Sequence, residues 1–188
     1  MKINISQVPQ EKLTDPRFIR LQSELEGALC NQKWVAAFCA HEAAHIIYLT
    51  RAGMKDFTFR SATILYDAAR DNFDGFPASV KPGGFNNDML AQINGQQWIL
   101  AVAMGHAAGG VAARKLTNAP DSGDQGDYET FCALCDLLCA QHPDCTIDRP
   151  GLWKIAQEAV EKELRSPRFR NEIWDKAHEI MPLLFGSP

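Results

Sequence analysis

The sequence predicts a single α+β domain over residues 1–188 that is mainly helical, with a small β element and a helical group at its C-terminal end. Apolar residues recur at helical spacing in several segments, which indicates amphipathic helices. β-branched and aromatic residues gather between positions 57 and 80, which favours short strands there. The length suits one hydrophobic core, which we expect at about 28–140, followed by C-terminal helices at about 149–181.

The first two helices are predicted from their capping residues. Asp15 followed by Pro16 is typical of a helix start. Apolar residues then recur at helical spacing, at Phe18, Leu21, Leu25 and Leu29. Asn31 can cap a second helix, which we expect over about 33–52 and which should stop at Gly53.

The second predicted helix contains the segment His41-Glu42-Ala43-Ala44-His45, which matches the pattern H-E-x-x-H. Residues four apart lie on one face of a helix, so both imidazoles can reach one ion. Glu42 lies beside that face, where it can accept a proton from a zinc-bound water. The apolar flanks predict burial, and such groups are costly to bury unpaired. The segment therefore predicts a zincin-like zinc hydrolase; the alternative is two core histidines beside a solvated glutamate.

Three short strands are expected after the motif helix, at 57–59, 63–66 and 73–80. Gly75 and Pro77 interrupt the last strand, and a proline cannot donate to a central ladder, so this strand should lie at a sheet edge. A turn is expected at 81–84, where the sequence is Lys-Pro-Gly-Gly.

Helices are expected again at about 87–116 and at 128–140, separated by an acidic loop at 118–126. Most residues of the segment 105–113 are Gly or Ala, which indicates that another helix, expected to be the motif helix, crosses them closely. Two further helices should begin at Asp148-Arg149-Pro150 and at Ser166-Pro167. Their apolar residues are Leu152, Ile155, Val160 and Leu164 on one, and Phe169, Ile173, Trp174 and Ile180 on the other.

A catalytic zinc usually has three protein ligands, so the motif helix needs one more from elsewhere in the chain. The candidates by chemistry are His106, Asp121, Asp124, Asp127, Glu129, His142 and the cysteines. The acidic loop precedes a helix, whose positive end favours an ionised oxygen ligand. Helix capping and solvent exposure explain most of these acids, and composition does not choose a ligand among them.

Residues 109–113 and 122–129, together with the motif helix, resemble the peptidase domain of the FtsH-type ATP-dependent zinc metalloproteases. In that family an H-E-A-G-H helix is followed by a small β element, a helix of G-G-R-A-A-E-E type and a T-G-A-S-N-D-L stretch whose Asp is the third zinc ligand. The resemblance covers about residues 28–138. It implies that His41, His45 and Asp127 hold Zn²⁺ and that Glu42 is the catalytic base. Asp124 in the same acidic loop stays the alternative third ligand.

The resemblance implies a stand-alone zinc metallopeptidase that hydrolyses peptide bonds with a Glu-activated water. Ala44 replaces the family's Gly, Val111 its Arg, and Arg114-Lys115 its acidic pair. The sequence has no G-x-x-x-x-G-K-[ST] loop, so no ATP is expected. A peptide or unfolded substrate should pair with the edge strand at 73–80. The further partners expected are a second copy of the chain in a homo-oligomer or a separate unfoldase that delivers the substrate. A zinc-binding or regulatory module without activity is the alternative.

Composition excludes some partners. The formal net charge of -4 gives no basic surface for nucleic acid, and no apolar stretch suggests a signal peptide or membrane insertion. His106 is expected in the core or beside the ligands rather than as a ligand. The six cysteines favour reduced thiols in the cytoplasm.

The cysteines also offer a competing metal site. Cys132, Cys135 and Cys139, with His142 and Cys145 beyond them, have a C-x-x-C…H-x-x-C pattern that suits a structural zinc. The i, i+3, i+7 spacing within an apolar helix favours a buried stripe instead. In a third class of function, the chain is an interaction protein held together by this cluster and the H-E-x-x-H match is accidental.

Overall fold

The structure is a computed structural model that describes residues 3–76, 78–83, 96–119, 123–141, 144 and 146–185. Within these ranges the helices are α1 (Pro16–Cys30), α2 (Gln32–Arg51), α3 (Gln96–Thr117), α4 (Asp124–Gln141), α5 (Arg149–Glu163) and α6 (Pro167–Phe185). The strands are β1 (Asn4–Ser6), β2 (Phe57–Arg60), β3 (Thr63–Asp67), β4 (Asn72–Phe76) and β5 (Ser79–Pro82). The predicted α+β, mainly helical class is confirmed.

The caps fix both ends of the motif helix where the sequence predicts them. The Asn31 side chain accepts hydrogen bonds from the backbone N–H groups of Lys33 and Trp34, at 3.1 and 3.2 Å. After the last turn Gly53 adopts a φ of 101°, a left-handed conformation that glycine adopts without strain. Asp15 caps α1 in the same way. Local chemistry therefore sets the position of α2 along the chain.

Helix α2 lies at the centre of the core and is crossed closely by α3. Its alanines Ala40, Ala43 and Ala44 are fully buried. On α3, a Cβ placed on Gly105 would lie 2.8 Å from Cγ of Leu49, so a larger residue there would displace the Leu49 side chain of α2. The close crossing predicted from the small residues is confirmed.

The strands form two small sheets. In the first, β3 is central, with β1 parallel on one side and β4 antiparallel on the other. In the second, β2 and β5 pair antiparallel, with Phe59 opposite Val80. The strand expected at 73–80 is therefore divided between two sheets, and both parts are edge strands within the described residues. Pro77 itself lies outside those residues.

The predicted turn at 81–84 is wrong for Lys81 and Pro82, which extend β5 and lie opposite Thr58 and Phe57. A strand at this position depends on pairing with β2, which the local Lys-Pro-Gly-Gly sequence does not reveal. Gly83 ends the strand, and its N–H donates to the carbonyl of Asp56 at 2.5 Å. Gly84 and the predicted start of the next helix, residues 87–95, lie outside the described ranges.

The acidic loop is shorter than predicted, because α4 begins at Asp124 and not at about 128. Gly123 adopts a φ of 73°, and the helix follows at once. Asp124 and Asp127 consequently lie in the first helical turn, where the N–H groups and the helix dipole favour negative charge.

The two C-terminal helices begin where predicted. Asp148 caps α5, and Pro167 is the first residue of α6. Most of their apolar residues face the core, but Ile155 is 53% exposed and lies on the outer side of α5. Among the helices of the described ranges, none is long and apolar enough to cross a membrane.

Candidate metal centre

Three side chains from two helices meet at the crossing of α2 and α3. His41 and His45 lie one turn apart on α2, and Asp127 reaches them from the first turn of α4. The two Nε2 atoms are 2.9 Å apart. Asp127 Oδ2 lies 3.4 Å from Nε2 of His41 and 3.3 Å from Nε2 of His45. Among the described His, Cys, Asp and Glu residues, these three form the one group that could share an ion.

The donor atoms fit zinc. Zinc–ligand bonds of about 2.0–2.2 Å in tetrahedral geometry separate ligand atoms by about 3.3 Å, which is close to the three distances above. Asp127 Oδ2 is buried and lies within 3.4 Å of the Nε2 atoms of both histidines. A cation in the group would satisfy this oxygen. The two imidazoles and one carboxylate are also the ligand types that zinc prefers.

The backbone of α3 orients one of the imidazoles. Nδ1 of His45 lies 2.8 Å from the carbonyl oxygen of Gly105, which can only accept a hydrogen bond. Nδ1 therefore carries a hydrogen, and Nε2 is the nitrogen that faces the other donor atoms, where it can bind a metal ion once it is deprotonated. This carbonyl could not be predicted from the sequence, because backbone groups carry no residue signature.

Gly109 leaves the space that the two imidazoles occupy. A Cβ at position 109 would lie 2.7 Å from Nε2 of His41 and would overlap Nε2 of His45. The sequence predicted a close helix crossing over residues 105–113 but not this contact with the donor atoms. Gly109 is thus a part of the site that sequence reasoning missed.

Glu42 is buried beside the group, with only 7% of its surface exposed. Its Oε2 accepts a hydrogen bond of 3.1 Å from the backbone N–H of Val80 in β5. Burial raises the pKa of Glu42 to about 7. This carboxyl group can therefore both hold and release a proton near neutral pH.

The charges of the group act on one another. Although burial opposes the charged imidazole, the Asp127 carboxylate raises the pKa of His45 to about 9. Burial likewise opposes the ionised form of Asp127, but the neighbouring charge of His45 lowers the pKa of this carboxyl. A metal ion and a proton consequently compete for Nε2 of His45.

A cleft of about 420 Å³ opens onto the group. It is lined by the three donor residues, by Glu42, by β5 and by His106. His106 is 5% exposed, as expected for a histidine in the core or beside the ligands. Burial, together with the charge of His45, lowers its pKa to about 4, so the imidazole is neutral at pH 7.

The other predicted ligand candidates lie elsewhere or cannot be placed. Asp124 forms an ion pair with Arg114 of α3, and Glu129 is exposed and accepts a hydrogen bond from Gln125. Cys135 is buried against Phe131 and Trp153, as a core residue would be. Cys132 and Cys139 are partly buried on the same helix. Asp121, His142 and Cys145 lie outside the described residues.

The fold and the site define a mainly helical α+β protein with a His-His-Asp group at the crossing of its central helices. Comparisons with protein-family models, with curated proteins and with solved structures found no match to the chain. The chemistry of the site is therefore inferred from its residues and from the distances between their ligand atoms.

Proposed function

We propose that the chain is a zinc-dependent metallopeptidase whose Zn²⁺ ligands are His41, His45 and Asp127. The observation that carries the proposal is the triangle of ligand atoms, 2.9, 3.3 and 3.4 Å on its edges, with the Glu42 carboxyl in the same cleft. Asp127, an oxygen donor more than eighty positions after His45 in the sequence, meets both imidazoles there. Neither helix capping nor core packing requires the Asp127 carboxylate to lie against both imidazoles.

Glu42 supplies acid–base chemistry in this proposal. Zinc in such a site lowers the pKa of water and polarises a carbonyl group. Glu42 accepts the proton that the attacking water loses and returns it to the nitrogen of the leaving amine. Burial raises the pKa of this carboxyl, and a higher pKa makes the carboxylate a stronger base.

The substrate proposed is a peptide or an unfolded segment that lies along β5. One edge of β5 pairs with β2, and the N–H of Val80 points away from that pairing to Glu42. The second edge of β5 therefore borders the cleft, where an extended peptide can add as a further strand. Of the predicted 73–80 strand, only the part that forms β5 is proposed to pair with the substrate, because β4 belongs to the other sheet.

The same residues carry the resemblance to FtsH-type peptidase domains, so we propose that the site works as those sites do. A module that binds zinc but does not hydrolyse peptides has the same ligands and differs only in turnover. The two functions are separated by measuring zinc and hydrolysis on the same preparations.

The test compares the purified chain with Glu42→Gln, which keeps the shape of the side chain and removes the base. We expect about one zinc per chain in both proteins, and hydrolysis of unfolded casein or a fluorogenic peptide mixture that falls at least about 100-fold in the variant. Glu129→Gln, an exposed acid on α4, is the matched control and should keep full activity. Turnover retained by Glu42→Gln would overturn the mechanism, and zinc without hydrolysis in the unmodified chain would favour the regulatory module.

A further inference from the structure

The cleft contains a third histidine that the proposed zinc site does not use. His106 lies on α3 and lines the cleft together with His41, His45 and Asp127. Its ring is 5% exposed, and its Nε2 is buried with no hydrogen-bond partner among the described residues. A buried ring nitrogen without a partner is unfavourable unless it serves a bound group.

The position of His106 on α3 is tied to the ligands. The preceding residue, Gly105, accepts the hydrogen bond from His45, and Gly109 lies over both imidazoles. Residues three apart share a helix face, so His106 and Gly109 belong to the side of α3 that crosses α2. The helix crossing that orients His45 therefore also sets the position of the His106 backbone relative to the ligands.

His106 is close to the group but is not part of it. No ring nitrogen of His106 lies within 4.8 Å of all three ligand atoms. Two ligands of one zinc ion are separated by at most about 4 Å, so this arrangement leaves His106 outside the coordination shell. His106 is nevertheless close enough for the charges of His45 and Asp127 to act on its imidazole.

We propose that His106 is a further catalytic residue, whose Nε2–H donates a hydrogen bond to the carbonyl oxygen of the peptide bond being cleaved. This inference rests on the proposed peptidase function.

The reaction creates the charge that this hydrogen bond would stabilise. When the water oxygen adds to the carbonyl carbon, the π electron pair of the C=O bond moves to the carbonyl oxygen, which becomes an oxyanion. The bond to His106 strengthens as this charge grows. The C–N bond then breaks, the carbonyl re-forms, and the amine nitrogen takes the proton held by Glu42. A fixed donor in a water-poor cleft stabilises such a charge more than water does.

The first experiment uses His106→Met and His106→Gln. Met fills the space without a donor, whereas Gln can place an N–H near the position of Nε2. We expect His106→Met to lower kcat/KM about 100-fold or more, at unchanged zinc content and melting temperature, and His106→Gln to recover most of that loss. His178→Met, at an exposed position on α6, is the control. Equal kcat/KM in all four proteins would overturn the inference while the peptidase proposal stands.

The second experiment does not depend on turnover. The zinc is replaced by cobalt, and a phosphinic peptide, whose tetrahedral oxyanion resembles the charge on the attacked carbonyl, is titrated into the visible spectrum. We expect the spectrum before titration to be the same in His106→Met, and the Kd of the phosphinic peptide to rise at least about tenfold. An altered spectrum would make His106 a ligand, and an unchanged Kd would remove its role as donor; either result overturns the inference even if no peptide is cleaved.

Discussion

A Cβ on Gly109 would lie 2.7 Å from Nε2 of His41, so the absence of a side chain on α3 is what allows two imidazoles of α2 to meet at one point. The same Cβ would overlap Nε2 of His45. The arrangement of the donor atoms in the proposed zinc site thus depends on a residue that has no side chain.

Gly109→Ala should weaken zinc binding. The added methyl group must displace one or both imidazoles, and displacement of ligand-orienting groups lowers metal affinity by about 10- to 100-fold. Alanine is also a better helix former than glycine, so α3 itself should not lose stability from the change. Competition with a chromophoric chelator measures the affinity, and circular dichroism checks the helix content.

Gly126→Ala is the matched control for that prediction. Gly126 is also a helical glycine, on α4 one position from Asp127, but a Cβ there meets nothing within 4 Å. Its zinc affinity should equal that of the unmodified chain. If Gly109→Ala binds zinc as tightly as Gly126→Ala does, the imidazoles are not ligands in the arrangement described.

The third ligand can be tested by comparing Asp127→Ala with Asp124→Ala. Asp127 Oδ2 lies 3.3–3.4 Å from both imidazole nitrogens, whereas Asp124 forms an ion pair with Arg114. We expect the Asp127 variant to lose most of its zinc after dialysis and the Asp124 variant to keep it. Zinc content by atomic emission measures both, and loss confined to Asp124→Ala would assign the ligand to Asp124.

Elements held by contacts between near neighbours in the sequence could be predicted, and elements held by distant partners could not. Asn31 and Gly53 define α2 through bonds to near neighbours, so its bounds were predictable to within a residue. Lys81 joins β5 only because it pairs with Thr58, a distant partner that a local pattern does not show.

The groups of the candidate site also fall into those that the sequence reveals and those that only tertiary packing brings in. His41, Glu42 and His45 are recognisable because helical spacing brings them together, and Asp127 was identified by resemblance. The N–H of Val80 and the carbonyl of Gly105 are backbone groups brought in by tertiary packing. No residue type marks such groups in advance, so they became visible only in the structure.

Removal of zinc should lower the melting temperature of the chain. Binding of a ligand at 100 times its Kd stabilises a folded protein by about 2.7 kcal/mol, which corresponds to about 5–10 °C for a chain of this size. We expect this shift on addition of zinc after chelation, and none in His41→Ala. Differential scanning calorimetry measures it. A shift that persists in His41→Ala and disappears in Cys135→Ala would favour the cysteine cluster as the metal site.

Arg51 should contribute to stability without affecting zinc. Its guanidinium lies 4.0 Å from the ring centroid of Phe169 and pairs with Glu163 and Glu172, so it joins α2 to both C-terminal helices. The side chain is 40% exposed, and solvent screening limits its contribution. We expect Arg51→Met to lower the free energy of unfolding by about 1 kcal/mol, mainly through the lost cation–π contact.

Urea unfolding of Arg51→Met is best compared with that of Arg20→Met. Arg20 also forms an ion pair, with Glu24, but the pair lies within α1 and is more exposed, so its loss should leave the midpoint nearly unchanged. Zinc affinity should be the same in both variants, because neither arginine lines the cleft. Equal midpoints would show that Arg51 does not hold α5 and α6 against α2. A drop in zinc affinity confined to Arg51→Met would instead show that the C-terminal helices help to fix the zinc ligands on α2. We do not expect this coupling, because the contacts of Arg51 and the ligand atoms involve different residues.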